Sequence, residues 1–202
     1  MKLYYSPGAC SLASHIALLE GGLDFELERV DLKSKLTETG ADFNVINPKG
    51  YVPALVLDSG DVVTESAAVL EWIAARAPAL GIPGPLGRTR LIESLVYMST
   101  EVHKSFRPIF TGAGEEEQAR AAQYINRRLH LLGERKVGKY LFGNDPTVAD
   151  FYLFVMLRWA ARLDIALQDG LVALMMRMQE RPLVRSAIEF EEAPAKRTGT
   201  AR

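Results

Sequence analysis

Cys10 is the only cysteine among 202 residues, and it stands where a thiol could do chemistry. It follows the turn-forming pair Pro7-Gly8 and precedes Leu12, Ile16, Leu19 and Leu23, apolar residues at helical spacing. That puts it at or beside a helix N-terminus, where unpaired N–H groups and the helix dipole favour an anion. A thiol there is expected to titrate below its reference of about 8.5, which populates the nucleophilic thiolate. The competing reading of a lone cysteine is a small buried hydrophobe. The turn before it brings the chemical reading level with that one, and both stay open at this point.

Four further features could meet that thiol. Val52-Pro53 enters an apolar run after the turn Asn47-Pro48-Lys49-Gly50. X-Pro is nearly the only bond that adopts cis, and a cis proline opposite an active helix exposes the N–H and C=O of Val52 to an extended peptide. The alternative is a proline that merely starts an edge strand. Glu65-Ser66 opens a helix, where the anion suits an ammonium and the hydroxyl with nearby N–H groups suits a carboxylate. Ordinary helix-start residues look the same. Lys35, close to Lys33 in a polar loop, could pair with a second carboxylate or stay solvated. His103 lies just off an apolar stripe, on the face with Ile92, Val96, Ser99 and Thr100; it could hydrogen-bond a ligand thiol or accept its proton, or be structural. His15 and His130 read as structural or surface groups. No histidine–cysteine set has metal-ligand spacing, so no metal is expected.

The elements that must position these groups fall in two parts. Lys2-Leu3-Tyr4-Tyr5 has strand composition, Phe25 to Val30 alternates, and Val52 to Leu57 leads through Asp58-Ser59-Gly60-Asp61 into Val62-Val63. With helices after Ser11 and Thr64 and a short one near Asp42 to Val45, residues 1–77 predict a thioredoxin-like α/β unit. Residues 78–87, rich in proline and glycine, predict a linker. Residues 88–202 predict an all-helical bundle. Its first stripe is Leu91, Leu95, Met98, Val102 and Ile109, kinked or ended at Pro108. A helix nearly apolar all round begins at Thr147-Val148-Ala149-Asp150, and the tail from about residue 191 is expected to fray.

Composition narrows the function classes. With 48% hydrophobic and 24% charged residues the chain is an ordinary globular protein, and a formal charge of -1 supplies no general field for nucleic acid or anionic membrane. One cysteine excludes an intramolecular disulfide and suits a reducing cytoplasm. Pro7-Gly8 and Glu20 interrupt any signal-like stretch, and Phe151 to Leu157 is too short to span a bilayer. A cytoplasmic protein is the expectation.

Taken together, six blocks in order resemble the bacterial beta-class glutathione S-transferases. They are Met1 to His15, Asn47 to Leu55, Thr64-Glu65-Ser66, Glu101-Val102-His103-Lys104, Thr147 to Asp150 and Leu157-Arg158-Trp159. The resemblance runs from residue 1 to about 190. It implies a thioredoxin-like domain, a helical domain, a homodimer, and glutathione bound between the domains. It implies that Cys10 meets the glutathione sulfur and that the Val52 backbone beside Pro53 pairs with the cysteinyl unit. Glu65 and Ser66 would hold the γ-glutamyl end and Lys35 the glycyl carboxylate. Thr100, Glu101, His103 and Lys104 would sit near the site, some reaching across the dimer, with Phe106 and Trp159 beside the acceptor pocket. Where the family often has asparagine four residues before the Thr100 position this chain has Val96, which removes a polar contact to the glutamyl end and bears on affinity. The segment Gly81 to Gly87 is also shorter than usual.

The implied activity is conjugation of the glutathione thiol to hydrophobic electrophiles. With no resolving cysteine, a monothiol exchange through a Cys10–glutathione mixed disulfide would accompany it. Non-catalytic proteins of the same architecture are the alternative; they usually lack the thiol or the Glu-Ser pair, and both are present here. A glutathione-dependent dehalogenase or isomerase is a third reading.

Overall fold

A computed structural model describes residues 1–194; residues 195–202, the end of the tail expected to fray, lie outside the described residues. The N-terminal part runs β1 (Lys2–Tyr5), α1 (Ser11–Glu20), β2 (Glu26–Asp31), β3 (Leu36–Thr37), α2 (Phe43–Ile46), β4 (Ala54–Val56), β5 (Val62–Thr64) and α3 (Ser66–Arg76). The strands form one sheet in the order β3-β2-β1-β4-β5. β1 and β2 are parallel, as the helical crossover between them requires, while β4 lies antiparallel to β1 and forms a hairpin with β5. This is the expected thioredoxin-like arrangement. β3 is an addition to it, two residues paired with Val30-Asp31 and too short to leave a periodic signal.

Alternation along the strands gives the sheet two covered faces. Leu3 and Leu55 join the main core with Leu12, Ile16, Leu70 and Ile73 of α1 and α3. Tyr4, Val30 and Ala54 point the other way and pack with Phe43 of α2, whose ring lies 5.7 Å from that of Tyr4.

After a 3-10 turn at Pro78–Leu80 the chain crosses to its helical part. Gly87 closes the crossing, because a Cβ there would lie 1.8 Å from the Ile82 carbonyl oxygen. The helices are α4 (Gly87–Tyr97), α5 (Arg107–Phe110), α6 (Glu115–Glu134), α7 (Val148–Arg162), α8 (Asp169–Glu180) and α9 (Pro182–Glu192). Between α4 and α5 the winding changes to a π turn at Met98–Val102 and a 3-10 turn at His103–Phe106. The predicted stripe keeps Leu91, Leu95, Met98 and Val102 buried. The face assigned to His103 divides: Ile92, Val96 and Thr100 are exposed, while Ser99 and His103 are half-buried. Seven residues of regular helix would place His103 beneath exposed Val96, but the wider π turn rotates it inward.

Helix α7 is the centre, with Val148 to Leu157 buried without a gap. Its start is fixed by Asp150, which is fully buried and accepts 2.8 Å hydrogen bonds from the Thr147 N–H, the Thr147 hydroxyl and the Leu141 N–H. At the chain's other end α9 continues through Glu192, past the point where the sequence suggested fraying. Glu191 is 2% exposed, with Oε1 3.1 Å from His15 Nδ1 and Oε2 accepting the Gly8 N–H at 2.9 Å. His15 is accordingly a buried structural group. Among the described residues no helix is long and apolar enough to cross a membrane.

The cap makes a direct prediction. Asp150→Ala leaves three buried donors without their acceptor and should lower the unfolding free energy by about 3 kcal/mol or more in urea titrations, whereas Thr147→Ala should lower it by about 1 kcal/mol.

Candidate active site

The loop from Ser6 to Cys10 is pinned at Gly8, whose φ of 67° lies in the left-handed region that glycine enters freely. Its N–H goes to Glu191, and its C=O accepts the Trp159 indole N–H at 2.9 Å. Residues far apart in sequence therefore hold the turn that presents Cys10. A cleft of about 550 Å³ opens beside it. Cys10, Tyr51 and Val52 line one side, and His103, Phe110 and Trp159 the other.

Cys10 is buried at the head of α1, and its Sγ–H donates to the Val52 carbonyl at 3.3 Å; Val52-Pro53 is cis. Burial pushes the thiol up to about 11, reinforced by the charge of Glu65 and opposed by the Ser66 hydroxyl and the N–H groups of Cys10 and Ser11. This reverses the depressed thiol expected from the helix terminus: dehydration of the anion outweighs the terminus, and a donated S–H favours the neutral form. In the free protein Cys10 is a thiol at neutral pH.

His103 packs its ring 5.1 Å from that of Trp159, and its Nδ1 lies 2.7 Å from the Tyr152 hydroxyl. Burial lowers its pKa to about 4 against the pull of Glu65, so the imidazole is neutral at neutral pH. Tyr152 is fully buried, and burial raises its phenol well above the ordinary value while the Ser99 and Ser66 hydroxyls pull it down.

On the Val52 side, Ser66 begins α3 and is 6% exposed. Glu65 precedes it at φ 71°, and its carboxylate accepts from Lys49 Nζ and, at 2.8 Å, from the Tyr51 hydroxyl. The Lys49 hydrogen bond holds that carboxyl below the usual range, and the charge of Lys104 adds to the effect. Lys35 also has a left-handed backbone, at φ 61°, with Nζ donating to the Gly50 carbonyl at 2.7 Å. Non-glycine residues hold such backbone only where their surroundings fix it, often at functional sites.

The cleft thus gathers Cys10, Val52, His103 and Trp159, with Pro53 and Ser66 adjoining and Glu65 within electrostatic reach of His103 and Lys104. Thr100 and Glu101 are not brought to it within the single chain. Thr100 is exposed with its hydroxyl on the Val96 carbonyl, and Glu101 accepts from the Tyr124 hydroxyl at 2.6 Å and lies 3.2 Å from Arg128 Nε. Phe106, expected beside the acceptor pocket, is fully buried behind it, and Phe110, stacked on it at 5.7 Å and 56% exposed, forms the lining instead. Phe110 and Tyr152 escaped sequence reasoning. For Tyr152 the signal was available, since a phenol inside an apolar helix needs a hydrogen-bond partner.

The sequence matches the family described as glutathione S-transferase, N-terminal domain, over residues 8–76 and glutathione S-transferase, C-terminal domain, over residues 95–182. The chain belongs to the glutathione S-transferase family. It is 42% identical to glutathione S-transferase GstA of Escherichia coli O157:H7, across 95% of this chain and 98% of that one. A bacterial beta-class glutathione S-transferase of Sphingomonas chungbukensis has a similar structure, with TM-score 0.86, 42% identity and coverage of 95% and 99%. So has a sphingomonad glutathione S-transferase solved in complex with glutathione, with TM-score 0.86, 42% identity and coverage of 95% and 98%.

For this transferase the buried thiol sets a pH dependence. Alkylation of Cys10 by iodoacetamide in the free protein should be slow at neutral pH and rise about tenfold per pH unit toward pH 11, followed by intact mass. A rate that levels off near neutral pH would contradict the direction of the shift.

Proposed function

We propose that the chain conjugates the thiol of glutathione to hydrophobic electrophiles, and that Cys10 additionally supports glutathione-dependent thiol–disulfide exchange. The observation that carries this reading is the single cleft lined by Cys10, Val52, His103 and Trp159. Glutathione offers a thiol, an ammonium and two carboxylates, and the residues around the cleft fit each of them. The Val52 backbone suits the cysteinyl unit, Glu65 the ammonium, Ser66 the α-carboxylate and Lys35 the glycyl carboxylate. Lys104 adds positive charge on the facing element. Lys49 and Tyr51 occupy the Glu65 carboxylate in the free chain, so an incoming ammonium takes over an acceptor that already holds a cation.

Conjugation needs the glutathione sulfur as an anion. The thiol proton passes to water. Hydrogen bonds from neutral His103 and from the Cys10 thiol, turned from the Val52 carbonyl once the cysteinyl N–H takes that acceptor, stabilise the anion. It attacks an electrophilic carbon held against Trp159 and Phe110 and displaces its leaving group. In exchange, the Cys10 thiolate attacks the glutathione sulfur of a small-molecule glutathione disulfide, forming the Cys10–glutathione mixed disulfide and releasing the other sulfur as a thiolate. A glutathione thiolate then attacks the glutathione sulfur of that mixed disulfide, freeing the Cys10 thiolate and leaving as oxidised glutathione. The other half of the substrate disulfide is thereby reduced at the expense of one free glutathione. The scarcity of Cys10 thiolate makes the first of these steps slow at neutral pH.

The active form is proposed as a homodimer in a reducing, cytoplasmic setting. Ile92 and Val96 supply an exposed apolar strip on α4 for a second copy to cover, and Thr100 lies one turn further along. Domains of residues 1–77 and 88–202 joined by 78–87 fit the observed change from sheet to helices.

Two outcomes test the division of labour. Cys10→Ala should abolish the mixed disulfide, read by intact mass with oxidised glutathione, yet lower conjugation of chlorodinitrobenzene only partly, by roughly tenfold or less, as expected for one lost hydrogen bond to a charged group. Equal and complete loss of both would contradict it. Retention on immobilised glutathione without turnover of any electrophile or disulfide would point to a non-catalytic binding protein. Glu65→Gln should raise KM for glutathione more than it lowers kcat, because it weakens recognition of the ammonium.

A further inference from the structure

A hydrogen bond from His103 to sulfur requires the ring nitrogen that faces the cleft to carry the proton. An imidazole with one proton can present either a donor or an acceptor to the cleft, and the hydrogen bond on its other nitrogen makes the choice. Here that other partner is the Tyr152 hydroxyl at Nδ1, 2.7 Å away inside the protein.

We propose that Tyr152 is a positioning residue for His103: its hydroxyl donates to Nδ1, which keeps the imidazole proton on Nε2 and offers that N–H to a sulfur lying beside Cys10. Three observations carry this. The phenol is fully buried and keeps its proton at neutral pH, and the partner at hydrogen-bond distance from its oxygen is Nδ1, which as an unprotonated ring nitrogen accepts that proton. The imidazole cannot turn freely, being crossed edge-on by the Tyr152 ring at 86° and 5.9 Å and packed against Trp159 on α7. The π turn at Met98–Val102 is what delivers His103 to this contact instead of to the exposed Val96 face. Interruptions of this type recur at functional sites, and here the displaced side chain is a named one.

The groups that face His103 are few. Cys10 approaches from the head of α1, Glu65 from before α3 and Tyr152 from α7, while Lys104 follows it on its own turn and Arg162 lies on the cleft wall. Tyr152 differs from the others in touching the ring nitrogen itself. This role rests on the reading that glutathione binds with its sulfur beside His103, so the test includes one arm free of that reading.

Heteronuclear NMR of the imidazole nitrogens in the ligand-free protein reports the tautomer directly. The expected state is protonated Nε2 with unprotonated Nδ1, shifting toward a tautomer mixture in Tyr152→Phe. A proton on Nδ1 in the wild type overturns the proposal. The second arm follows ultraviolet thiolate absorbance of bound glutathione against pH in wild type, Tyr152→Phe, His103→Gln and the double variant, with thermal unfolding as a control. Tyr152→Phe should raise the midpoint by roughly half to one pH unit, a three- to tenfold smaller thiolate fraction at neutral pH, without weakening binding of S-methylglutathione. In the His103→Gln background Tyr152→Phe should add nothing. An unmoved midpoint in Tyr152→Phe, or an equal shift in both backgrounds, overturns the positioning role alone. A midpoint unmoved by His103→Gln removes the sulfur contact itself, and the proposal with it.

Discussion

The cleft depends on one buried helix. Helix α7 is apolar on nearly every face and is started by a carboxylate that satisfies three otherwise orphaned donors. Because it packs against α1 and α3 on one side and α4 and α8 on the other, it belongs to both halves of the molecule. Two of its aromatic residues carry one polar atom each. The Trp159 indole nitrogen fastens the Cys10 loop, and the Tyr152 oxygen fastens His103. A helix that bonded neither would leave the two walls of the cleft without a common reference.

Dehydration at that seam sets the electrostatics. The same burial that raises the Cys10 thiol lowers the His103 imidazole, so both are neutral in the free protein at neutral pH. The charged groups, Glu65, Lys49 and Lys104, stand at the more exposed margin. On the proposed function this arrangement would separate recognition from reaction. Ion pairing with a zwitterionic peptide would take place where water can still screen it, while the sulfur would enter a site furnished with neutral hydrogen-bonding groups. A sulfur anion would then be stabilised by fixed dipoles without a full counter-charge beside it.

Much of this was legible in the residues. The strand, turn and helix around Cys10, the hairpin at Asp58 to Asp61 and the cap at Thr147 to Asp150 all carry local signals of turn chemistry and periodicity. The sequence also pointed to Cys10, Val52, His103 and Trp159, which share the cleft. What failed were properties decided by tertiary context. The helix-terminus argument for Cys10 is sound locally, but burial by residues of other elements overrode it. Periodicity groups His103 with half-buried Ser99 but also with exposed Val96 and Thr100, because it assumes regular winding and carries no mark of a π turn. Phe106 and Phe110, four residues apart, exchange the roles of wall and backing, a choice that depends on how α5 sits against Trp159. Glu191 could not be connected to Gly8 from sequence at all, since the separation is 183 residues.

That last contact has a consequence for the order in which the molecule assembles. The turn before the thiol is encoded in the first ten residues, but the acceptor for its central N–H arrives only with the final described helix. During synthesis the first strands and helices can associate early, whereas this turn must wait, its amide held by water, until α9 has emerged. The earliest-made wall of the cleft is therefore the last to be finished, and a chain cut before Glu191 would be altered at its opposite end.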